Sequence, residues 1–223
     1  DFDFETLSDL HPLFEDSVYS IFAYEEFTEV YNNNRISDEV YMRHEQFREF
    51  PGARAMITKL SAFPELNRRY LEIFDFEGNI LDTASPELMR IRRQTGILRA
   101  RINKTMQSLL GDNRFEKFLQ DKFVTQRDDR YVLPVKESSV SFVDGIVQSH
   151  SGSKATVFVE PMAVVPMNNE LQLIKQQEKQ EIHRIFSDYT SRIKAVKKEI
   201  LLNQQVLSQL DFRFACGRLC RTM

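Results

Sequence analysis

The chain has 223 residues, a formal net charge of −3, 28% charged and 42% hydrophobic residues, seven glycines and no tryptophan. That length can bury a sizeable core, and the composition predicts a soluble, helix-dominated protein of one or two domains. No apolar run approaches the roughly 18–20 residues of a membrane span and no secretory pattern opens the chain, which argues against a membrane role and for the cytoplasm.

The two cysteines, Cys216 and Cys220, stand at i, i+4. A disulfide framework is not expected from such a pair, and no second ligand pair lies nearby to make a zinc site. They read as a buried or truncated helix face. The first residue is Asp1 rather than Met, so the chain reads as a piece of a longer protein. Charge is strongly polarised: residues 1–50 carry a net −10 and residues 51–223 a net +7. The overall acidity argues against a generic nucleic-acid binder, yet the basic part could still face phosphates.

Residues 1–64 read as short helices. Phe27, Val30 and Tyr31 share one helical face, and Val40, His44 and Phe47 share another. Asn32-Asn33-Asn34 is expected to turn between them, with Ser37 capping the second helix. His44 is expected on the buried side, and the acidic residues on a solvated surface. Further helical faces follow at Met56, Ile57, Leu60 and Phe63, then at Leu66, Tyr70, Ile73 and Phe74. Glu77-Gly78-Asn79 is a turn. Phenylalanines should fill this helical body.

A long helix begins at Ser85-Pro86-Glu87, where Ser85 can cap, Pro86 suits the first position and Glu87 complements the helix dipole. Its apolar seam is Leu88, Ile91, Thr95, Leu98, Ile102, Met106 and Leu109. Arg90, Arg92, Arg93, Arg99, Arg101 and Lys104 surround that seam, a net +5 over residues 86–110. Those cations read either as partners for protein carboxylates or as contacts for nucleic acid. After Gly111-Asp112-Asn113, Phe115, Phe118 and Leu119 suggest a further helical turn or two.

Residues 121–165 change character. Phe123-Val124-Thr125 and Tyr131-Val132-Leu133 flank a turn at Asp128-Asp129, and Val143–Gln148 and Ala155–Val159 flank another around Ser149–Lys154. Four short strands in sequence predict a small antiparallel meander. Helical spacing then returns at Ile182, Phe186, Tyr189, Ile193, Val196, Ile200, Asn203, Leu207, Leu210 and Phe214, a coiled-coil-like seam. Asn203 is its one polar member, there either to fix register or as a tolerated polar residue near the helical body. The pattern predicts a small sheet held between two long helical arms, away from a globular base.

No catalytic or metal constellation emerges. His11, His44, His150 and His183 are scattered, and Ser151–Thr156 lacks both the frame of a phosphate loop and the helix that must follow one. Asp128 and Asp129 are turn formers without a partner histidine. What remains is binding: Arg127, Arg130, Lys136 and Lys154, interleaved with Ser138, Ser139, Ser149, Ser151 and Ser153, could contact phosphate oxygens without reading bases.

Five motifs occur here in an order that resembles the MutS family, over roughly residues 75–215. They are Ser85-Pro86-Glu87-Leu88 with Ile91-Arg92-Arg93; Asp129–Lys136 (DRYVLPVK); Gly145-Ile146-Val147; Phe158-Val159-Glu160-Pro161; and Asn168-Asn169-Glu170-Leu171. The chain is most similar to the second bacterial branch, paralogues acting outside ordinary mismatch repair. Asp129 stands where that family commonly has Gly, and Gln148-Ser149 where it commonly has His-Asp.

The resemblance implies a core, lever and clamp fragment without the ATPase: a helical core (1–84), a first lever helix (85–120), a β-rich clamp (121–165) and a second lever helix returning to the core (166–223). It further implies a fold that is mainly α with a small antiparallel β insertion. The expected function is grip on duplex or branched DNA, coupled to a separate ATPase domain that uses ATP and Mg and makes a homodimer, in a parent that could also carry a Smr nuclease. The fragment itself is expected to hold no cofactor and to catalyse nothing. The clamp role carries over to Arg130 and Lys136, with Lys154 inside the second matched stretch, while Arg127 rests on charge and position alone. Alternative readings are a clamp on ribosomes or another ribonucleoprotein, and a coiled-coil interaction module.

Overall fold

The computed structural model describes residues 7–15, 20–152 and 155–222. In chain order the elements are α1 (His11–Glu15), α2 (Tyr24–Met42), α3 (Pro51–Ile57), α4 (Pro64–Ile73), α5 (Pro86–Leu110), α6 (Asn113–Glu116), β1 (Thr125–Arg127), β2 (Arg130–Lys136), β3 (Gly145–His150), β4 (Thr156–Pro161), α7 (Val165–Ala195) and α8 (Lys197–Thr222). The protein is mainly α with one small antiparallel sheet, as its periodicity predicts. Packing divides it into two compact units: residues up to 85 with residues from 182 onward, and residues 86–181.

In the first unit, Ile36, Val40, Met56, Ile57 and Leu60 form a core with Val206, Leu207 and Leu210 of α8. A second cluster is aromatic. The Phe27 ring lies 5.9 Å from Phe22, 5.8 Å from Phe74, 5.3 Å from Phe186 and 4.9 Å from Tyr189. Such pairs add about 0.5–1.5 kcal/mol each beyond the area they bury. The expected phenylalanine-filled body is present.

Three local expectations fail here. Asn32–Asn34 do not turn; they lie inside the continuous helix α2, so Ser37 caps nothing. Asn33 accepts the Ser8 N–H at 3.0 Å and donates to the Ser8 carbonyl at 2.8 Å, and an amide so occupied no longer competes for its own backbone. His44 is half-buried at the surface rather than in the core, because α2 ends at Met42 and a 3₁₀ turn carries the ring round to the Tyr41 carbonyl, 2.8 Å away. Cys216 is exposed: six residues past Leu210, it has rotated off the buried stripe of α8. The side chain of Cys220 lies outside the described residues.

The long C-terminal seam buries Ile185, Tyr189, Ile193, Ile200, Asn203, Leu207 and Leu210, with a one-residue interruption at Val196 between α7 and α8. Asn203, the polar member, is 2% exposed and fully engaged by Ser61.

In the second unit, α5 buries Leu88, Ile91, Thr95, Leu98, Ile102, Met106 and Leu110, the expected stripe with Leu110 in place of the half-buried Leu109. Ser85 has extended backbone and Pro86 opens the helix. The sheet packs one face on this stripe: Tyr131, Leu133, Val135, Val157 and Val159 join Ile91, Leu98, Ile102 and Met106 and the α7 residues Met167, Leu171 and Ile174 in one core.

The strands are antiparallel, but their order is β1-β2-β4-β3, not the meander expected from their sequence order. Composition explains the swap. Val157 to Pro161 of β4 are all buried, with both faces covered, which suits an interior strand better than an edge. Strand β3, with Gly145, Gln148, Ser149 and His150, is more exposed and bulged, and it takes the edge.

Candidate nucleic-acid interface

Strands β1 and β2 are joined by Asp128 and Asp129, whose φ values of 46° and 65° give the left-handed turn a tight hairpin needs. Aspartate tolerates that region better than most side chains, which is why two adjacent acids can stand there. The resulting register pairs Arg127 with Arg130 and Lys136 with Thr156.

Side chains alternate across a strand, so this register sorts the candidates. Tyr131, Leu133 and Val135 point into the core. Arg130 and Lys136 therefore emerge on the opposite face, and Arg127, paired with Arg130, shares it. Arg130 and Lys136 are separated along β2 by about 20 Å at a strand rise of 3.3–3.4 Å per residue.

The three side chains are held very differently. The Arg127 guanidinium lies 4.0 Å over the ring of Phe158, exposed to solvent with its charge unpaired among the described residues. The exposed Lys136 ammonium donates at 3.1 Å to the Lys117 carbonyl, leaving further donors available. Near it, Phe118 stacks on the exposed Phe142 with centroids 5.6 Å apart.

Arg130 is already committed. Its Nε and Nη2 grip the two carboxylate oxygens of Glu160 at 2.6 and 2.7 Å, and Nη2 also reaches Asn169 Oδ1 at 2.7 Å. Glu160 is 0% exposed and also accepts Gln148 Nε2 at 2.6 Å and Asn168 Nδ2 at 2.8 Å. Four hydrogen bonds saturate this carboxylate, the condition for a buried charge to be tolerated. Asn168 completes the network by accepting the Tyr131 N–H at 3.2 Å and donating to its carbonyl at 3.1 Å. Lys154, the fourth candidate, lies outside the described residues, as does Ser153.

Glu160, Gln148 and Asn168 were not singled out as functional from the sequence. The signal for Glu160 was present: a lone acid within the apolar run Val157-Phe158-Val159-Glu160-Pro161 calls for a buried cation, and Arg130 lies in the strand that pairs with it.

The cations of α5 divide. Arg90 pairs with Glu87 through Nη2 at 2.5 Å, and Arg92 reaches Glu178 of α7 at 2.8 Å. Arg93, Arg99, Arg101 and Lys104 are exposed and form no ion pair among the described residues. On α7, Lys175 Nζ contacts Asp129 Oδ1 at 2.8 Å, and Gln172 Nε2 donates to the Asp129 carbonyl at 3.1 Å. Lys175 foremost, with Lys179 and Arg99 behind it, holds the Asp129 carboxyl below its ordinary range. Among the described residues no group of three potential metal ligands occurs, and no helix is long and apolar enough to cross a membrane.

No family model matches the chain. Curated relatives do. The chain is 39% identical over 172 residues, 77% of its length, to "Endonuclease MutS2" of Geobacillus sp. (strain WCH70), and 41% identical over 171 residues, again 77%, to the protein of that name in Finegoldia magna. It is 36% identical over 208 residues, 92% of its length, to "Putative endonuclease MutS2" of Bacillus subtilis (strain 168). The matched segments make up 22%, 22% and 26% of those proteins, so the chain spans about a fifth to a quarter of the length of the relatives it matches. On this homology the chain is a MutS-family segment, related to the MutS2 paralogues.

Proposed function

We propose that this segment is a nucleic-acid-contacting part of a MutS-like ATPase, gripping duplex or branched DNA through its phosphate backbone. The observation that carries the reading is the exposure of Arg127 and Lys136 at the two ends of the sheet face turned away from the α5–α7 core, a face whose middle is closed by buried Val132, Phe158 and Glu160. Cations presented along a strand suit a row of phosphates. Arg130 serves in this reading as the pin that holds the sheet to the start of α7, and Lys154 adds a further cation to the same grip. In the parent protein the grip is coupled to a separate ATPase domain that uses ATP and Mg, and the name of the relatives supports a nuclease in that parent, outside this segment.

The test is binding of a fluorescein-labelled duplex and of a four-way junction across a salt series. Wild-type binding should weaken steeply with salt and show little sequence preference. The double charge reversal Arg127→Glu/Lys136→Glu should weaken binding at least tenfold and lower the salt slope by about 0.9 for each contact removed. Unchanged affinity in that variant would defeat the proposal, and retention on ribosomes in place of DNA would move the partner to a ribonucleoprotein.

A further inference from the structure

The β1–β2 hairpin turn does something its role as a turn does not require: it delivers a carboxylate into a group of cations on the helices. Asp129 Oδ1 lies 2.8 Å from Lys175 Nζ, although its side chain is 64% exposed and water could satisfy it. Lys179 is one helical turn beyond Lys175 on the same face of α7. Arg99 comes from α5. The Arg92–Glu178 pair fixes the level at which the two helices meet. The cleft that Arg90, Leu98 and Arg101 line with Gln177, Ile174 and Glu170 shows that they run in opposite directions. Arg99 is two turns past Arg92 on one face, and the same step back from Glu178 reaches Leu171 and Gln172, beside Lys175. Arg99 and Lys179 are exposed and form no ion pair among the described residues. One carboxylate thus sits before three cations, and only one of them is paired.

We propose that Arg99, Lys175 and Lys179 form a phosphate-binding subsite that the Asp129 carboxylate fills in the free protein and a nucleic-acid phosphate takes over on binding. The hairpin turn is then an internal competitor that a nucleic-acid phosphate must displace. This inference rests on the nucleic-acid reading above. It adds a second contact region, on the helices, to the one on the sheet.

A neighbouring acid supplies the control. Asp128 and Asp129 carry the same charge and both have positive φ, but the ion pair to Lys175 belongs to Asp129. Asparagine tolerates that backbone as well as aspartate does, so Asp129→Asn and Asp128→Asn preserve the turn. Duplex affinity of the full chain should rise about fivefold in Asp129→Asn, the effect of removing one charge at contact distance in water. It should rise much less in Asp128→Asn. Lys175→Met should weaken binding, lower the salt slope by about one, and abolish the gain from Asp129→Asn in the double variant. Equal gains from the two asparagine variants, or a gain that persists without Lys175, would overturn the subsite.

The two readings fail separately. If Arg127→Glu/Lys136→Glu weakens binding while Asp129→Asn changes nothing, the sheet interface stands and the subsite falls. If the wild type binds no duplex, the interface falls. Tripolyphosphate titrated into labelled protein then decides the subsite: saturable shifts of the Asp129 and Arg130 amides, lost in Lys175→Met, support it, and their absence sinks it.

Discussion

Asn203 meets Ser61 edge to edge: its Oδ1 accepts the Ser61 N–H at 2.9 Å and its Nδ2 donates to the Ser61 carbonyl at 2.7 Å. The same device recurs where Asn33 holds Ser8 and where Asn168 holds Tyr131. In each case a helical amide imitates one rung of a β-ladder and satisfies the backbone of a residue distant in sequence. A buried amide in an apolar seam is costly unless every one of these bonds is made.

Asn203→Ala should therefore cost about 1–2 kcal/mol, because it removes the partner of both a half-buried donor and a half-buried acceptor of Ser61. Asn203→Asp should cost more, since it exchanges the donor for a charge facing a carbonyl. Urea denaturation with an unchanged m-value is the measurement, and a shift below about 0.5 kcal/mol would contradict the role assigned to this pair.

The Arg130–Glu160 pair yields a cycle rather than a single number. Removing either partner alone leaves a charge in a site where the carboxylate is fully enclosed, and should destabilise by about 3–5 kcal/mol. Replacing both, as in Arg130→Met/Glu160→Leu, should recover much of that loss. Thermal unfolding of the four proteins checks it. For the same reason, loss of DNA binding in an Arg130 variant is interpretable only beside its stability.

Gly145 pairs with Pro161 at the β3–β4 edge, and a Cβ there would sit 2.5 Å from the Glu160 carbonyl oxygen and 2.6 Å from Val159 Cγ1. Both atoms belong to the central strand, so neither can yield cheaply. Gly145→Ala should cost about 1–3 kcal/mol and release the β3 amides to hydrogen exchange. The α5 helix should keep its protection.

At high pH the aromatic cluster of the first unit becomes a liability. Burial, with Tyr24 and Tyr31 adding to it, pushes the Tyr70 hydroxyl up to about 12, and burial raises that of Tyr189 as well. The unfolded chain releases those protons near pH 10, before the folded protein does. The native state then binds more protons than the unfolded one, so the stabilisation is whole below about pH 10 and lost as pH climbs through 12. Tyrosinate absorbance should show Tyr70 and Tyr189 ionising together with unfolding, and Tyr70→Phe should blunt the alkaline loss of stability.

Much of the fold was legible because helix burial follows a local rule. The α5 stripe from Leu88 to Met106 can be written down from spacing alone, and so can the Ser85-Pro86 start, since each depends only on the chain's own period. The hairpin at Asp128-Asp129 was legible for the same reason. The sheet order was not: placing β4 between β2 and β3 depends on which strand can be buried on both sides, a comparison between segments far apart in sequence. The three asparagines in α2 misled because their local preference is to turn, and Ser8, distant in sequence, overrides it.

For the candidate interface, the sequence by itself determined which cations exist and, through the two-residue period of β2, that Arg130 and Lys136 emerge on one face. Only the tertiary structure decided which of them is free. A charge is available to a ligand when no carboxylate has reached it first. Glu160 reaches Arg130 across thirty positions of sequence, and Asp129 reaches Lys175 across forty-six, by pairings that no local pattern encodes.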